Sequence, residues 1–172
     1  MSRVASLLTT AGLSIVLILS YAHVFSGESY LTSRYWFGIP ETAVKCIIPL
    51  QLLAAAGFVY LVMSLFPGEP DETVPRWLRC AALPLIVVFL VASIVWPFAV
   101  RASLEHNSTV ATALTVGSLL VVAATSLAFV VGAFQSAKSG MILASLALAI
   151  IVVLVDGIGW NARFLTDKMH GS

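Results

Sequence analysis

Apolar residues in this chain neither alternate nor fall into narrow stripes; they run on. Five stretches, 4–25, 43–66, 80–100, 110–134 and 140–160, each hold at most one Asp, Glu, Lys or Arg. A charge-poor run of about 18 residues or more, rising 1.5 Å per residue, predicts a helix that crosses a hydrocarbon layer of about 30 Å. The longest polar interval between runs is 26–42, too short for a separate soluble domain. The pattern therefore predicts an all-α integral membrane protein. Residues 1–172 form one polytopic domain, a compact bundle of five transmembrane helices with short loops, and the lipid bilayer is its first partner.

Composition supports that reading. Of 172 residues, 60% are hydrophobic and 10% charged, against roughly 45–50% and about 25% in soluble domains. The formal charge of +1 comes without a basic stripe, which argues against nucleic acid as a partner. Cys46 and Cys80 begin the second and third spans, so an alternating topology puts them on opposite sides and forbids an intrachain disulfide. No CxxC pair, metal-spaced set or repeat is visible, so no metal and no cofactor is expected. Met-Ser-Arg before an apolar run also fits a secretory signal. The run extends from Val4 to Val24 or Phe25, beyond the usual h-region of about 7–15 residues, and a retained helix is expected.

With five crossings, the side holding the N-terminus (the near side) carries Arg3, Arg76, Arg79 and Lys138. The far side carries Arg34, Lys45, Arg101, Arg163 and Lys168, so the positive-inside rule does not fix orientation. The sequon at 107–109 abuts a span, where glycosylation is not expected.

The ionisable residues nearest the spans are distributed asymmetrically. His23, Lys45, Arg101 and Asp156 all fall at far-side helix ends. In "VVLVDGIGWNARF", Asp156 interrupts an apolar run one turn before its expected end. At 100° per residue, Ser145, Ala149, Val152, Gly159 and Arg163 share its face, and Leu143, Ala147, Ile150, Ile151, Leu154 and Ile158 lie opposite. The small face predicts contact with other helices and the aliphatic face contact with lipid. His23 similarly shares a stripe with Ala5, Thr9, Gly12, Val16 and, more loosely, Ser20. A carboxylate in hydrocarbon costs about 2.5–3.5 kcal/mol on insertion scales, so a partner is expected, Lys45 first, then His23, then Arg163.

Pro49, Pro97, Gly157 and Gly159 are expected to free backbone carbonyls near the same depth. In the 26–42 loop, Tyr30, Tyr35, Trp36 and Phe37 suit a headgroup belt, or a lid over a polar mouth with Arg34 facing an anionic group. The segment "PGEPDETVPRWLRC" reads as a plain connector. In the fourth run, Gly117, Ala124, Ala128 and Gly132 are spaced to form a packing groove.

Three functions fit. The first is a non-catalytic subunit or assembly factor of a larger membrane complex, suggested by short loops and small-residue faces. The second is binding or transport of a lipid, small hydrophobic molecule or proton at a far-side pocket. The third is a small acid–base enzyme acting on a lipophilic substrate, of isomerase, cyclase or hydrolase type, with Asp156 and His23 as catalytic residues. Candidate ligand-binding residues are Lys45, Trp36, Arg34, Trp160, Asn161 and Arg101.

Overall fold

A computed structural model describes residues 2–26, 34–36, 39–67 and 71–170. The described residues are helical throughout: α1 (Arg3–Val24), a 3-10 turn (Arg34–Trp36), α2 (Glu41–Leu65), α3 (Arg76–His106), α4 (Thr109–Ser136), α5 (Ser139–Ala149), a π-helical segment (Ile150–Trp160) and α6 (Asn161–His170). The last three follow without a break and count as one long helix. Five helices are thus long and apolar enough to cross a membrane: Arg3–Val24, Glu41–Leu65, Arg76–His106, Thr109–Ser136 and Ser139–Met169.

Side-chain contacts fix the alternating direction of the helices. At one end, Arg3 Nε donates to the Phe66 carbonyl at the C-terminus of α2 (2.8 Å), and Trp77 Nε1 donates to Gln135 Oε1 (2.6 Å). Lys138 pairs there with Asp71. At the other end, Tyr21 lies against Trp96, and Lys168 Nζ donates to the Ser103 carbonyl (2.6 Å) and to Asn107 Oδ1 (3.0 Å). The segment expected to be a plain connector therefore ties the start of α3 to the α4–α5 turn. Asp71 also accepts from Thr73, and Val74 is buried.

Polarity is turned inside out relative to a water-soluble bundle. On α1, Ser6 and Thr10 are each 5% exposed while Leu8 and Ile18 are 68% and 67% exposed. On α4, Thr115, Ser118, Thr125 and Ser126 face inward and Leu114, Leu120, Leu127 and Val131 face out. An aliphatic exterior around a small, hydroxyl-bearing interior is the arrangement that lipid as solvent favours.

Several expectations about faces and ends are corrected. The inward stripe of α1 is Ser6, Thr10, Ser20 and Val24; Thr9, Gly12, Val16 and His23 lie on its exposed side. Small residues occur on both faces of that helix, and the buried face is the one carrying hydroxyls. In α4 only Gly132 of the expected groove is buried, against Leu78 of α3, and Ala124 is exposed. The loop expected at 101–109 shrinks to Asn107 and Ser108. An Arg101–Glu105 pair four residues apart extends α3 to His106, and Asn107 takes a left-handed cap conformation with φ 46°. The fifth helix does not stop at Trp160. Polar residues end a lipid-compatible run there, but the buried Phe164 and the reach of Lys168 keep the chain helical.

The π segment also changes the face assignment. Its i→i+5 hydrogen bonding widens each turn, so a stripe drawn for an α-helix drifts out of phase. Ser145, Ala149 and Val152 are buried and Leu143, Ile150, Leu154 and Ile158 exposed, as expected. Ile151 is buried instead of exposed, and Gly159 and Arg163 are exposed instead of buried.

Close packing of α2 on α5 rests on Gly57. A Cβ there would lie 2.7 Å from the Ala144 carbonyl oxygen, a backbone atom that cannot swing away. Gly57→Ala is expected to lower the unfolding free energy by about 1–3 kcal/mol, the usual range for overpacking. Gly12→Ala, whose Cβ meets open space, is expected to be neutral or stabilising by up to about 1 kcal/mol through helix propensity. Reversible unfolding of the two variants in detergent checks the contrast, and equal effects would contradict the α2–α5 packing.

Candidate functional site

One cavity gathers residues from most of the bundle. It is lined by Tyr21 and Phe25 of α1 and its cap, Tyr35 and Trp36 of the 3-10 turn, Gln51, Trp96, Leu119, Asp156 and Trp160. Its volume is about 40 Å³, where a single water needs about 10–15 Å³. Gln51, Trp96, Leu119 and Trp160 each lie ten residues from the end of their helix on this side, counted from Glu41, His106, Thr109 and His170. At 1.5 Å per residue this sets the cavity about 15 Å below the helix ends.

The aromatic walls hold one another in place. Phe25 meets Tyr35 edge-on at 4.8 Å and Trp96 meets Trp160 edge-on at 5.0 Å; Tyr21 lies 5.7 Å from Trp96, and Trp160 stacks on Phe164 at 5.1 Å. Such pairs add about 0.5–1.5 kcal/mol each beyond area burial. Trp160 Nε1 donates to the Tyr35 carbonyl (2.9 Å), which fastens the 3-10 turn onto the π segment. Tyr35 and Trp36 are buried against the bundle. That placement differs from a solvent-facing headgroup belt. Tyr30 and Phe37 lie outside the described residues.

Asp156 sits within the π segment and is half-buried on the cavity wall. Among the described residues it has no hydrogen bond or ion pair, and the expected partners are elsewhere. Lys45 Nζ pairs with Glu41 (2.7 Å), one turn away on an outward face of α2. His23, exposed on α1, lies 6.2 Å from the ring of Phe98. Arg163 is exposed. His23 has the right depth, between Tyr21 and Phe25, but the wrong azimuth; Lys45 faces outward and also stands six residues, about 9 Å, short of Gln51.

The other sequence candidates divide. Trp36 and Trp160 line the cavity. Arg101 Nε donates to Glu105 Oε1 (2.8 Å) on the same helix and does not line it. Asn161 is buried just past the π segment; its Nδ2 donates to the Gly157 carbonyl (3.0 Å), and its Oδ1 has no partner among the described residues. It supports the helix transition and stands outside the cavity lining. The side chain of Arg34 lies outside the described residues. Among the described residues no three His, Cys, Asp or Glu side chains converge as metal ligands do.

Tyr21, Phe25, Gln51, Trp96 and Leu119 escaped the sequence reading because each looks like ordinary span material. Two signals were available. Tyr21 and Phe25 stand four apart at the end of a span, and Gln51, Trp96 and Leu119 share one depth when counted from their helix ends. Nothing matches the chain among protein-family models, curated proteins or solved structures.

An acid with no partner among the described residues predicts an unusual mutational sign. Asp156→Leu is expected to leave the unfolding free energy unchanged or to raise it by up to about 3 kcal/mol, since it removes a costly group and breaks no bond. A loss of about 1–2 kcal/mol, the upper range for interhelical polar contacts, would mean that the carboxylate ties helices together.

Proposed function

We propose that the chain is a multi-pass membrane protein of five spans that binds a small molecule in the cavity beside Asp156. The observation that carries this reading is an acid on the wall of an aromatic-lined hollow, with no hydrogen bond or ion pair from any described residue. Ionisable groups within membrane spans are rare and usually functional, because an idle one is costly. Concave sites with mostly apolar walls and a few placed polar groups are the usual form of ligand pockets.

Two other readings have less behind them. Of the small-residue faces on which the subunit reading drew, Gly57 and Gly132 meet Ala144 and Leu78 of the chain itself, while Gly12 and Gly117 face open space. The enzyme reading drew on a carboxylate and a histidine acting together, and His23 does not line the cavity.

Topology and binding are tested separately. Cys46 and Cys80 are both exposed and free, so in sealed, oriented vesicles an impermeant maleimide is expected to reach Cys46 from one side and Cys80 from the other. Labelling of both from one side would contradict five spans. For binding, native mass spectrometry of protein extracted gently from its own membrane is expected to show a bound small molecule at 1:1. Leu119→Phe, which narrows the cavity, is expected to lose it while melting within a few degrees of wild type. Protein that emerges empty in both forms would overturn the pocket reading.

A further inference from the structure

We propose that the ligand is an organic cation, the head of an alkylammonium compound, held between the Asp156 carboxylate and the rings of Tyr21, Phe25, Trp96 and Trp160. This rests on the pocket reading and assigns its chemistry.

The first argument is charge. A carboxylate set among aromatic rings is stabilised most by a cation, and none of the described basic residues at this end reaches the cavity: Arg163 and His23 are exposed on outer faces. Lys45 is paired with Glu41, Arg101 with Glu105, and Lys168 is bonded to Ser103 and Asn107. No Lys, Arg or His lines the cavity among the described residues. The described residues thus supply the negative half of an ion pair and no positive half.

The walls select the same sign. Ring faces carry negative quadrupolar potential, so a cation within about 6 Å of several rings is attracted to each, most strongly to tryptophan and in the absence of water. Trp36, Trp96 and Trp160 all contribute, together with Tyr21, Phe25 and Tyr35. An anion meets repulsion from both Asp156 and the ring faces, and a neutral apolar group leaves the carboxylate uncompensated. Trp96 Nε1 is buried with no acceptor among the described residues, so an oxygen carried on the same head has a donor available. The volume of about 40 Å³ admits only the head, and any tail extends past the mouth.

The shared chemistry has two sources, a soluble amine and the headgroup of a choline or ethanolamine lipid. Three of the four tryptophans line the cavity, and the fourth, Trp77, bonds Gln135 at the opposite end. Fluorescence of the full-length Trp77→Phe protein in maltoside detergent therefore reports on the site. Choline is expected to change the emission saturably, and 3,3-dimethyl-1-butanol, its neutral carbon isostere, is not. Asp156→Asn and Trp96→Leu are each expected to weaken choline about tenfold or more, which corresponds to about 1.4 kcal/mol. Asp156→Glu, which keeps the charge, is expected to retain most of the affinity. In phosphatidylcholine nanodiscs, loss of the choline response identifies the lipid headgroup as the occupant, and persistence identifies a soluble amine.

Equal response to the neutral alcohol, or undiminished choline binding by Asp156→Asn, would leave the pocket standing and overturn its cationic preference. Silence toward both probes in detergent would overturn the pocket and its chemistry together. Choline binding that appears only after Arg34→Gln would show that the chain's own guanidinium occupies the cage, and would overturn the proposal in that way.

Discussion

Every buried hydroxyl in this bundle must find an acceptor without the help of water, and most find it on their own helix. Thr10 donates to the Ser6 carbonyl (2.9 Å), Thr115 to Ala111 (2.8 Å), Ser118 to Thr115 (3.0 Å), Ser126 to Ala123 (2.7 Å) and Ser145 to Ile142 (3.0 Å). Each side chain closes onto the backbone three or four residues earlier, so small polar residues can line an interior without needing partners across it. The helices then approach through small groups, and the aliphatic side chains are left for the outside. The inverted polarity of α1 and α4, and the contact of Gly57 with Ala144, follow from that local closure.

Against such a background an unsatisfied group stands out. Among the described residues, Asp156 has no partner, and the buried Trp96 Nε1 and Asn161 Oδ1 have none either. Two of these three belong to the cavity, and Asn161 lies just beyond the π segment that carries Asp156. Buried polar atoms are ordinarily satisfied, and exceptions call for an explanation by ligand, water or strain. Here the exceptions cluster at one end of the molecule, where the aromatic residues also gather. At the other end, the Trp77 indole, Lys138 and Asp71 are bonded to protein.

The five helices were legible because span length is written in uninterrupted apolar runs, which no soluble architecture of this size can hide. Helix ends were less legible. Hydropathy marks where lipid-compatible surface stops, whereas the backbone of α3 continues through an Arg101–Glu105 pair, and α6 continues on Phe164 and Lys168. The place of Asp156 on an inner wall was legible from its cost alone. Its neighbours were not, because azimuth on α1 and α2 depends on which of two small faces turns inward, and nothing local distinguishes Thr9–Gly12 from Ser6–Thr10. The π segment was the deepest omission. A widened turn leaves no mark in a run of Ile, Val and Leu, yet it moved Ile151 inward and Gly159 outward.

That segment lies between two fixed points. Lys138 is anchored to Asp71 at one end of the long helix, and Lys168 to Ser103 and Asn107 at the other. Since a wide turn holds more residues for the same axial advance than an α-helical turn, residues 150–160 store surplus chain between those anchors. The surplus makes this stretch tolerant in a way its neighbours are not. Loss of a single residue there can be absorbed when one turn tightens, with both anchors kept in register. The same deletion in α4 would rotate everything beyond it by about 100°. The fifth helix thus carries slack at the depth where Asp156 meets the cavity, and single-residue deletions are best accommodated where the cavity is lined.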